Sequence, residues 1–145
     1  MINANELRLG NWVETYTVML SGSWIDKDGN VHGQDTITEP TIRQKQIDIK
    51  DLEIISKAGG LATYRGIPLT GEILEKCGFV KEVDSGSGKP YEYHITFGDN
   101  YTLIYYPDLP DWELAGMPLP VSPKYLHQLQ NLYWCLVGEE LNYKP

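Results

Sequence analysis

The stretch SPKYLHQLQNLYWCLVGEEL, residues 122–141, decides how the chain is organised. Ser122 and Pro123 form a helix-start signal, because a serine hydroxyl caps free backbone N–H groups and proline fits the first helical position. At about 100° per residue, one broad face of this helix collects apolar side chains. They are Tyr125, Leu126, Leu129, Leu132, Tyr133, Leu136 and Val137. The sequence therefore predicts a long helix at this point, with that face in the core.

A second, more polar stripe lies on the opposite flank of the helix. It consists of His127, Gln130, Asn131 and Trp134, which recur at i, i+3, i+4 and i+7. An indole ring adds a large apolar area and one N–H donor, so its presence in a polar stripe indicates a contact surface. We expect the stripe to pack on the N-terminal segment or on a second subunit. A ligand pocket and exposure to solvent are the two alternatives.

The composition is that of a small globular protein. The 145 residues are 41% hydrophobic and 22% charged, which is enough to bury a core. No apolar run approaches the roughly 20 residues of a membrane span, and the first residues lack the pattern of a secretory signal. We therefore expect a cytoplasmic protein without a membrane partner.

The charge pattern argues against nucleic acid as a partner. The formal net charge is −8, and lysines and arginines are scattered singly along the chain. Binding to a phosphate backbone depends on clustered positive charge, so we expect no DNA or RNA partner. A small phosphorylated ligand stays possible, since it needs no more than one or two cations.

Residues 1–57 are predicted to form a small SH3-like β-barrel. A strand follows a turn at Gly10, residues 21–38 form a hairpin that turns at residues 26–30, and residues 43–56 alternate as strands. Several short strands separated by turns are typical of such a barrel or of a strongly bent sheet. The glycine-rich residues 58–66 are the expected linker.

Residues 67–145 are predicted to form an antiparallel sheet flanked by two helices. The first helix starts at Thr70 and stops at Gly78. The stretches YEYHITF, 91–97, and YTLIYY, 101–106, alternate and form a hairpin. Four prolines within residues 107–121 leave a loop with at most a short edge strand. The predicted fold class is α+β, with the barrel packed on this sheet.

The sequence contains none of the familiar catalytic motifs. It has no Gly-x-Ser-x-Gly and no His-Glu-x-x-His pattern, and Cys77 and Cys135 lack the spacing of metal ligands. We expect buried reduced thiols, with a disulfide or a catalytic thiol as the alternative, and no metal or other cofactor. The leading hypothesis is a non-enzymatic binding protein. Two alternatives are a small nucleotide or ester hydrolase that uses His94 or His127 with nearby acids, and a purely structural or protein-interaction module without a pocket.

The aromatic composition favours binding. Ten tyrosines and four tryptophans accompany only two phenylalanines, and Tyr and Trp are typical of interfaces and of pockets for flat ligands. The candidate ligand-binding or interface residues are therefore His127, Gln130, Asn131 and Trp134, which offer a ring, two amides and an indole. Tyr64 and Arg65 are secondary candidates, because Arg65 could meet an anionic ligand where two lobes join. Aromatic faces on a small protein also suggest a homo-oligomer.

Three stretches resemble a known family. ELRLGNWV (6–13), GIPLTGEILEKCGF (66–79) and HQLQNLYWCLVGEEL (127–141) are similar, in this order, to a family of short uncharacterised proteins from gut bacteria and their phages. Members often have Phe at the position of Trp134 and Ala at that of Cys135, which implies an aromatic packing role for Trp134. Residues 14–46 lie outside the resemblance.

The resemblance implies a biological context but no chemistry, because no activity is assigned to that family. It suggests an accessory protein of a phage or mobile element with an anti-defence role. Such a protein would sequester a small nucleotide-derived signalling molecule or inhibit a host defence protein.

Overall fold

The structure is a computed structural model that describes residues 7–17, 20–21, 24–25, 28, 31–32, 36–37, 41–57 and 64–145. Its elements in chain order are β1 (Trp12–Thr17), β2 (Leu20–Ser21), β3 (Trp24–Ile25), β4 (Val31–His32), β5 (Thr36–Ile37), β6 (Thr41–Gln46), α1 (Ile49–Lys57), β7 (Tyr64–Gly66), α2 (Gly71–Lys76), β8 (Val80–Val83), β9 (Pro90–Phe97), β10 (Tyr101–Tyr106), β11 (Asp111–Leu114), β12 (Met117–Pro118) and α3 (Leu126–Val137). The fold is mixed α+β, as predicted. No helix in these ranges is long and apolar enough to cross a membrane.

The C-terminal part contains a five-stranded antiparallel sheet in the order β12-β11-β10-β9-β8. The predicted hairpin is confirmed as β9 and β10, with Leu103 opposite Ile95. Alternation of side chains along these strands buries Tyr93 and Leu103 on one face, together with Trp112 of β11. The proline-rich segment forms β11 and the two-residue edge strand β12, whose Pro118 has no N–H with which to extend the sheet.

The main core lies between this sheet and helices α2 and α3. Its buried residues are Ile67, Ile73, Leu74, Cys77, Phe79, Tyr93, Leu103, Trp112, Leu126, Leu129, Leu141 and Tyr143. Thr70 caps α2 as expected, with its hydroxyl 3.3 Å from the backbone N of Ile73. The chain after α3 returns to the core through Leu141 and Tyr143.

Helix α3 begins at Leu126, three residues after the start that Pro123 predicted. The residues before it run antiparallel to the chain after β7. The backbone N–H of Leu69 donates to the carbonyl of Lys124 (3.1 Å), and that of Leu126 donates to the carbonyl of Ile67 (2.9 Å). These two hydrogen bonds keep residues 124–125 extended, so the helix does not begin where Ser122 and Pro123 predicted.

The close approach of β7 to the start of α3 requires glycine at position 66. A Cβ there would lie 2.6 Å from Cγ and 2.9 Å from Cβ of Tyr125, atoms that cannot move without moving the helix start. We expect Gly66→Ala to lower the free energy of unfolding, measured with urea, by about 1–3 kcal/mol. Gly86→Ala is the matched control, because its Cβ would meet only Asp84 Oδ1, at 3.5 Å. Equal losses in the two variants would contradict the close contact.

The N-terminal part contains a three-stranded antiparallel sheet in the order β6-β1-β7. Two short ladders, β2-β5 and β3-β4, accompany it, and the second confirms the predicted hairpin by pairing Trp24 with His32. The described residues of this part show no closed barrel. Residues 58–63 of the predicted linker lie outside the described residues, whereas 64–66 form β7 and pair with β1.

The strand predicted beyond residue 47 is wrong, because residues 49–57 form helix α1. Asp48 and Asp51 cap its start reciprocally: each backbone N–H donates to the other carboxylate at 2.9 Å. Ile47 is buried while Ile49 is exposed, so the two do not share a face as the strand interpretation required. The described residues therefore contain three helices rather than two.

Candidate functional site

The four predicted site residues on α3 lie in two different environments. His127 and Gln130 are buried, Asn131 is partly buried, and 45% of Trp134 is exposed. The ring of His127 stacks on that of Tyr125, with centroids 5.8 Å apart. The first turns of this flank are therefore buried within the protein, whereas the turn that carries Trp134 is exposed to solvent.

The covering segment is the start of the chain, at residues 8–12. Gln130 Oε1 accepts a hydrogen bond from the backbone N–H of Trp12 (2.8 Å). Asn131 Oδ1 accepts from Arg8 Nε (2.9 Å) and from Asn11 Nδ2 (3.0 Å). The two amides thus fasten the N-terminal segment to α3, so this part of the flank packs inside the protein.

Arg8 is the site residue that sequence reasoning missed. Its Nη1 and Nη2 donate to the two carboxylate oxygens of Glu140 (2.6 and 2.9 Å), and Nη2 also donates to the carbonyl of Gln130 (3.2 Å). Its guanidinium carbon lies 5.1 Å from the ring centroid of Trp134, a cation–π distance. The available signal was an arginine within ELRLGNWV, but nothing local indicates that residue 8 meets residues 134 and 140.

Tyr64 and Arg65 lie on β7 and bind acidic side chains of the N-terminal part. The Tyr64 hydroxyl donates to Asp51 Oδ1 (2.7 Å), and Arg65 Nε donates to Glu14 Oε2 (2.5 Å). Burial, and then the hydrogen bond to Asp51, raises the pKa of Tyr64 to about 12. Because Glu14 already balances the charge of Arg65, little of that charge is left for the predicted anionic ligand.

The two cysteines also differ in environment. Cys77 is buried as expected, and burial raises the pKa of its thiol to about 12. Cys135 is exposed on α3, next to Trp134, so the prediction that it is buried is wrong. Both are free thiols.

Described residues line two depressions beside α3. One, of about 490 Å³, lies at the start of the helix and is lined by Val121, Ser122, Pro123, Lys124, Gln128 and Leu132. The other, of about 270 Å³, lies between the chain start and the residues after α3; Gly10, Trp12, Gln46, Gln130, Glu140 and Tyr143 contribute to its lining. We call this second depression the tail cleft. Of the predicted site residues, Gln130 contributes to the lining of this cleft.

Among the described residues, one contact bears on the alternative that the protein is a hydrolase. On β9, His94 Nδ1 lies 3.1 Å from Glu92 Oε1. His127 is buried on α3. Among the described residues, no group of three or more His, Cys, Asp or Glu side chains could hold a metal ion.

The stretches that carry the family resemblance lie together in the structure. Arg8 and Trp12 contact the flank of α3, and the carbonyl of Ile67 accepts a hydrogen bond from the first residue of that helix. The resemblance itself stays a prediction. Comparison with known proteins finds no matching family model, no matching curated protein and no matching solved structure.

Proposed function

We propose that this protein is a non-enzymatic binding protein that holds a partner protein on Trp134 and Arg8. The observation that carries the proposal is an indole that is 45% exposed beside a guanidinium that is fixed in place. The side chain of Arg8 makes four hydrogen bonds with described residues, to Asn131, Glu140 (two) and the carbonyl of Gln130. Tryptophan and arginine are the residues most enriched in binding hot spots.

The fixed arginine favours binding energetically. An arginine that is free in solution loses about 0.5–1.5 kcal/mol of rotamer freedom when an interface immobilises it. Arg8 has already lost this freedom, because Glu140 holds it through two parallel hydrogen bonds. Arg8 is therefore held in place before a partner binds, against the ring of Trp134.

The family resemblance supports a host protein, in particular a host defence protein, as the partner. Two free cysteines, Cys77 and Cys135, support a cytoplasmic location, since reduced thiols are typical of that compartment. We also propose that the strands of the N-terminal part, β1 to β7, form an SH3-like barrel. Its bounds differ from the predicted 1–57, because residues 49–57 form helix α1 and β7 pairs with β1. Its support is the three-stranded sheet β6-β1-β7 together with the short ladders β2-β5 and β3-β4.

Sequestration of a nucleotide-derived signal has less support from the charges. Arg8 is neutralised by Glu140 and Arg65 by Glu14, so neither cation is available to a phosphate without breaking an ion pair. The hydrolase alternative rests on the contact between His94 and Glu92. Turnover of a nucleotide panel that is lost in His94→Ala would favour it.

The proposal is tested by placing a photoreactive benzophenone amino acid at position 135, which is exposed beside Trp134 on α3, in the cells that produce the protein. Irradiation is expected to yield one predominant covalent adduct, whose mass identifies the partner. The same amino acid at Tyr101, an aromatic position 56% exposed on the hairpin of β9 and β10, is the matched control. No adduct at position 135, or equal adducts at both positions, would contradict the proposal. An adduct of twice the chain mass would show that the partner is a second copy.

Once the partner is identified, Trp134→Ala measures the contribution of the indole. We expect the affinity to fall about 30-fold, the equivalent of a hot-spot loss of about 2 kcal/mol. Tyr101→Ala should leave the affinity unchanged. Isothermal titration calorimetry of the three proteins would measure both effects, and equal affinities would place the contact elsewhere.

A further inference from the structure

The tail cleft has a buried floor and a polar rim. Gln130 and Tyr143 are buried, and the ring of Tyr143 meets that of Trp12 edge-on, with centroids 5.4 Å apart. Gln46 and Glu140 line the cleft and are exposed. The volume of about 270 Å³ is close to the lower end of ligand pockets, which limits an occupant to about one ring system.

The amide of Gln130 has a fixed orientation. Its Oε1 accepts the backbone N–H of Trp12 at 2.8 Å, which only an oxygen can do, so its NH2 group forms the other end of the amide. Among the described residues that NH2 group donates no hydrogen bond, and it is not one of the fully enclosed polar atoms that lack a partner, so it reaches open space. Because Gln130 lines the cleft, an acceptor that enters it would gain a preoriented donor.

The rim determines the charge of a suitable occupant. Glu140 adds a carboxylate, and the cation next to it, Arg8, is already held by that carboxylate. Gln46 donates its NH2 group to the carbonyl of Gly10 (3.0 Å), which leaves its Oε1 as an acceptor. The rim therefore offers acceptors to N–H groups, and its described lining residues offer no unpaired cation to a phosphate or carboxylate.

We propose that the tail cleft binds a small, uncharged, planar heterocycle or carboxamide. The ligand's carbonyl or ring nitrogen accepts a hydrogen bond from Gln130, its N–H groups face Glu140 and Gln46, and its ring contacts Trp12. The aromatic wall favours a flat molecule, since ring faces and edges pack at small cost in conformational freedom. This site is separate from the exposed face of Trp134, so it goes beyond the proposed partner surface and does not depend on it.

The test uses the full chain, labelled with ¹⁵N, and three probes: adenine, uracil and nicotinamide at millimolar concentration. At least one probe is expected to shift the NMR signals of the Gln130 side-chain NH2 and the Trp12 indole N–H along a saturable curve. If no probe shifts these two signals, the proposal is wrong.

A blocking variant shows whether the shifts come from the cleft. Asn142 is an exposed lining residue, so Asn142→Trp should fill the cleft and weaken probe binding at least about tenfold, or 1.4 kcal/mol. Lys144→Trp, exposed in the same segment, is the matched control and should bind the probe normally. Gln46→Trp, elsewhere in the lining, serves as a second blocking variant if Asn142→Trp does not give the wild-type amide spectrum for β9 and β10. Binding that is unchanged in a folded blocking variant would also overturn the proposal.

Discussion

Trp112→Ala is expected to lower the free energy of unfolding by about 3–5 kcal/mol, the usual cost of removing a buried aromatic ring. Only 1% of Trp112 is exposed, and its ring lies 4.9 Å from that of Tyr105 and 6.0 Å from that of Phe79, between centroids. Its removal leaves a cavity between the sheet and the helices, which the surrounding residues cannot fill. Urea denaturation followed by circular dichroism would measure the loss.

Trp134→Ala is the control for this experiment, because it removes the same side chain from a half-exposed position. We expect it to cost less than about 1 kcal/mol, mainly the cation–π contact with Arg8. If both variants lose several kcal/mol, Trp134 belongs to the core and cannot serve as the partner surface.

Asp51→Ala is expected to lower the free energy of unfolding by about 2–4 kcal/mol, because it removes the acceptor at the centre of a buried hydrogen-bond cluster. The carboxylate accepts hydrogen bonds from Lys45 Nζ (2.7 Å), the Tyr64 hydroxyl (2.7 Å) and the backbone N–H of Asp48 (2.9 Å). Lys45 is half-exposed, so solvent replaces part of its contribution. Glu72→Ala is the control: Glu72 is an exposed partner of Lys76 at 3.0 Å, and its loss should cost less than about 0.5 kcal/mol.

The effect of Asp51 also depends on pH in a definite direction. Burial alone would raise the pKa of Asp51, but hydrogen bonds from Lys45, Asp48 and Tyr64 outweigh it and hold the pKa below the ordinary value of 3.8. The ionised carboxylate therefore stabilises the fold fully above that ordinary value, and the stabilisation disappears as the pH falls through the lower folded-state pKa. The difference in stability between wild type and Asp51→Ala should shrink in strong acid. A constant difference from neutral pH down to strong acid would contradict this account.

Local patterns determined the parts of the fold that the sequence predicted well. The hairpin of β9 and β10 follows from strict alternation over two short runs. The core face of α3 was predicted only in part: Leu126 and Leu129 are buried, whereas Tyr125 and Leu136, placed on the same face, are exposed. Helix α1 was missed because Ile47 and Ile49 also fit a strand period, and short apolar runs are ambiguous between the two structures. The decisive signal was the Asp48–Asp51 pair at capping-box spacing.

The candidate site was predictable only as a set of positions on one helix. Spacing placed Gln130, Asn131 and Trp134 on a common flank, but their environments depend on Arg8 and Trp12, which lie 118 to 126 positions away in the sequence. No local rule connects residues at that separation. The tail cleft arises in the same way, because its lining combines residues 10–12, Gln46 and the segment after α3.

The long separation between β1 and α3 has a consequence for the newly made chain. A ribosome adds roughly 5–20 residues per second, so the 118 positions between Trp12 and Gln130 take on the order of 6–24 seconds to synthesise. During that interval Arg8, Asn11 and Trp12 have no α3 to bind. Residues 8–12 therefore stay exposed to chaperones and proteases until the ribosome has made α3.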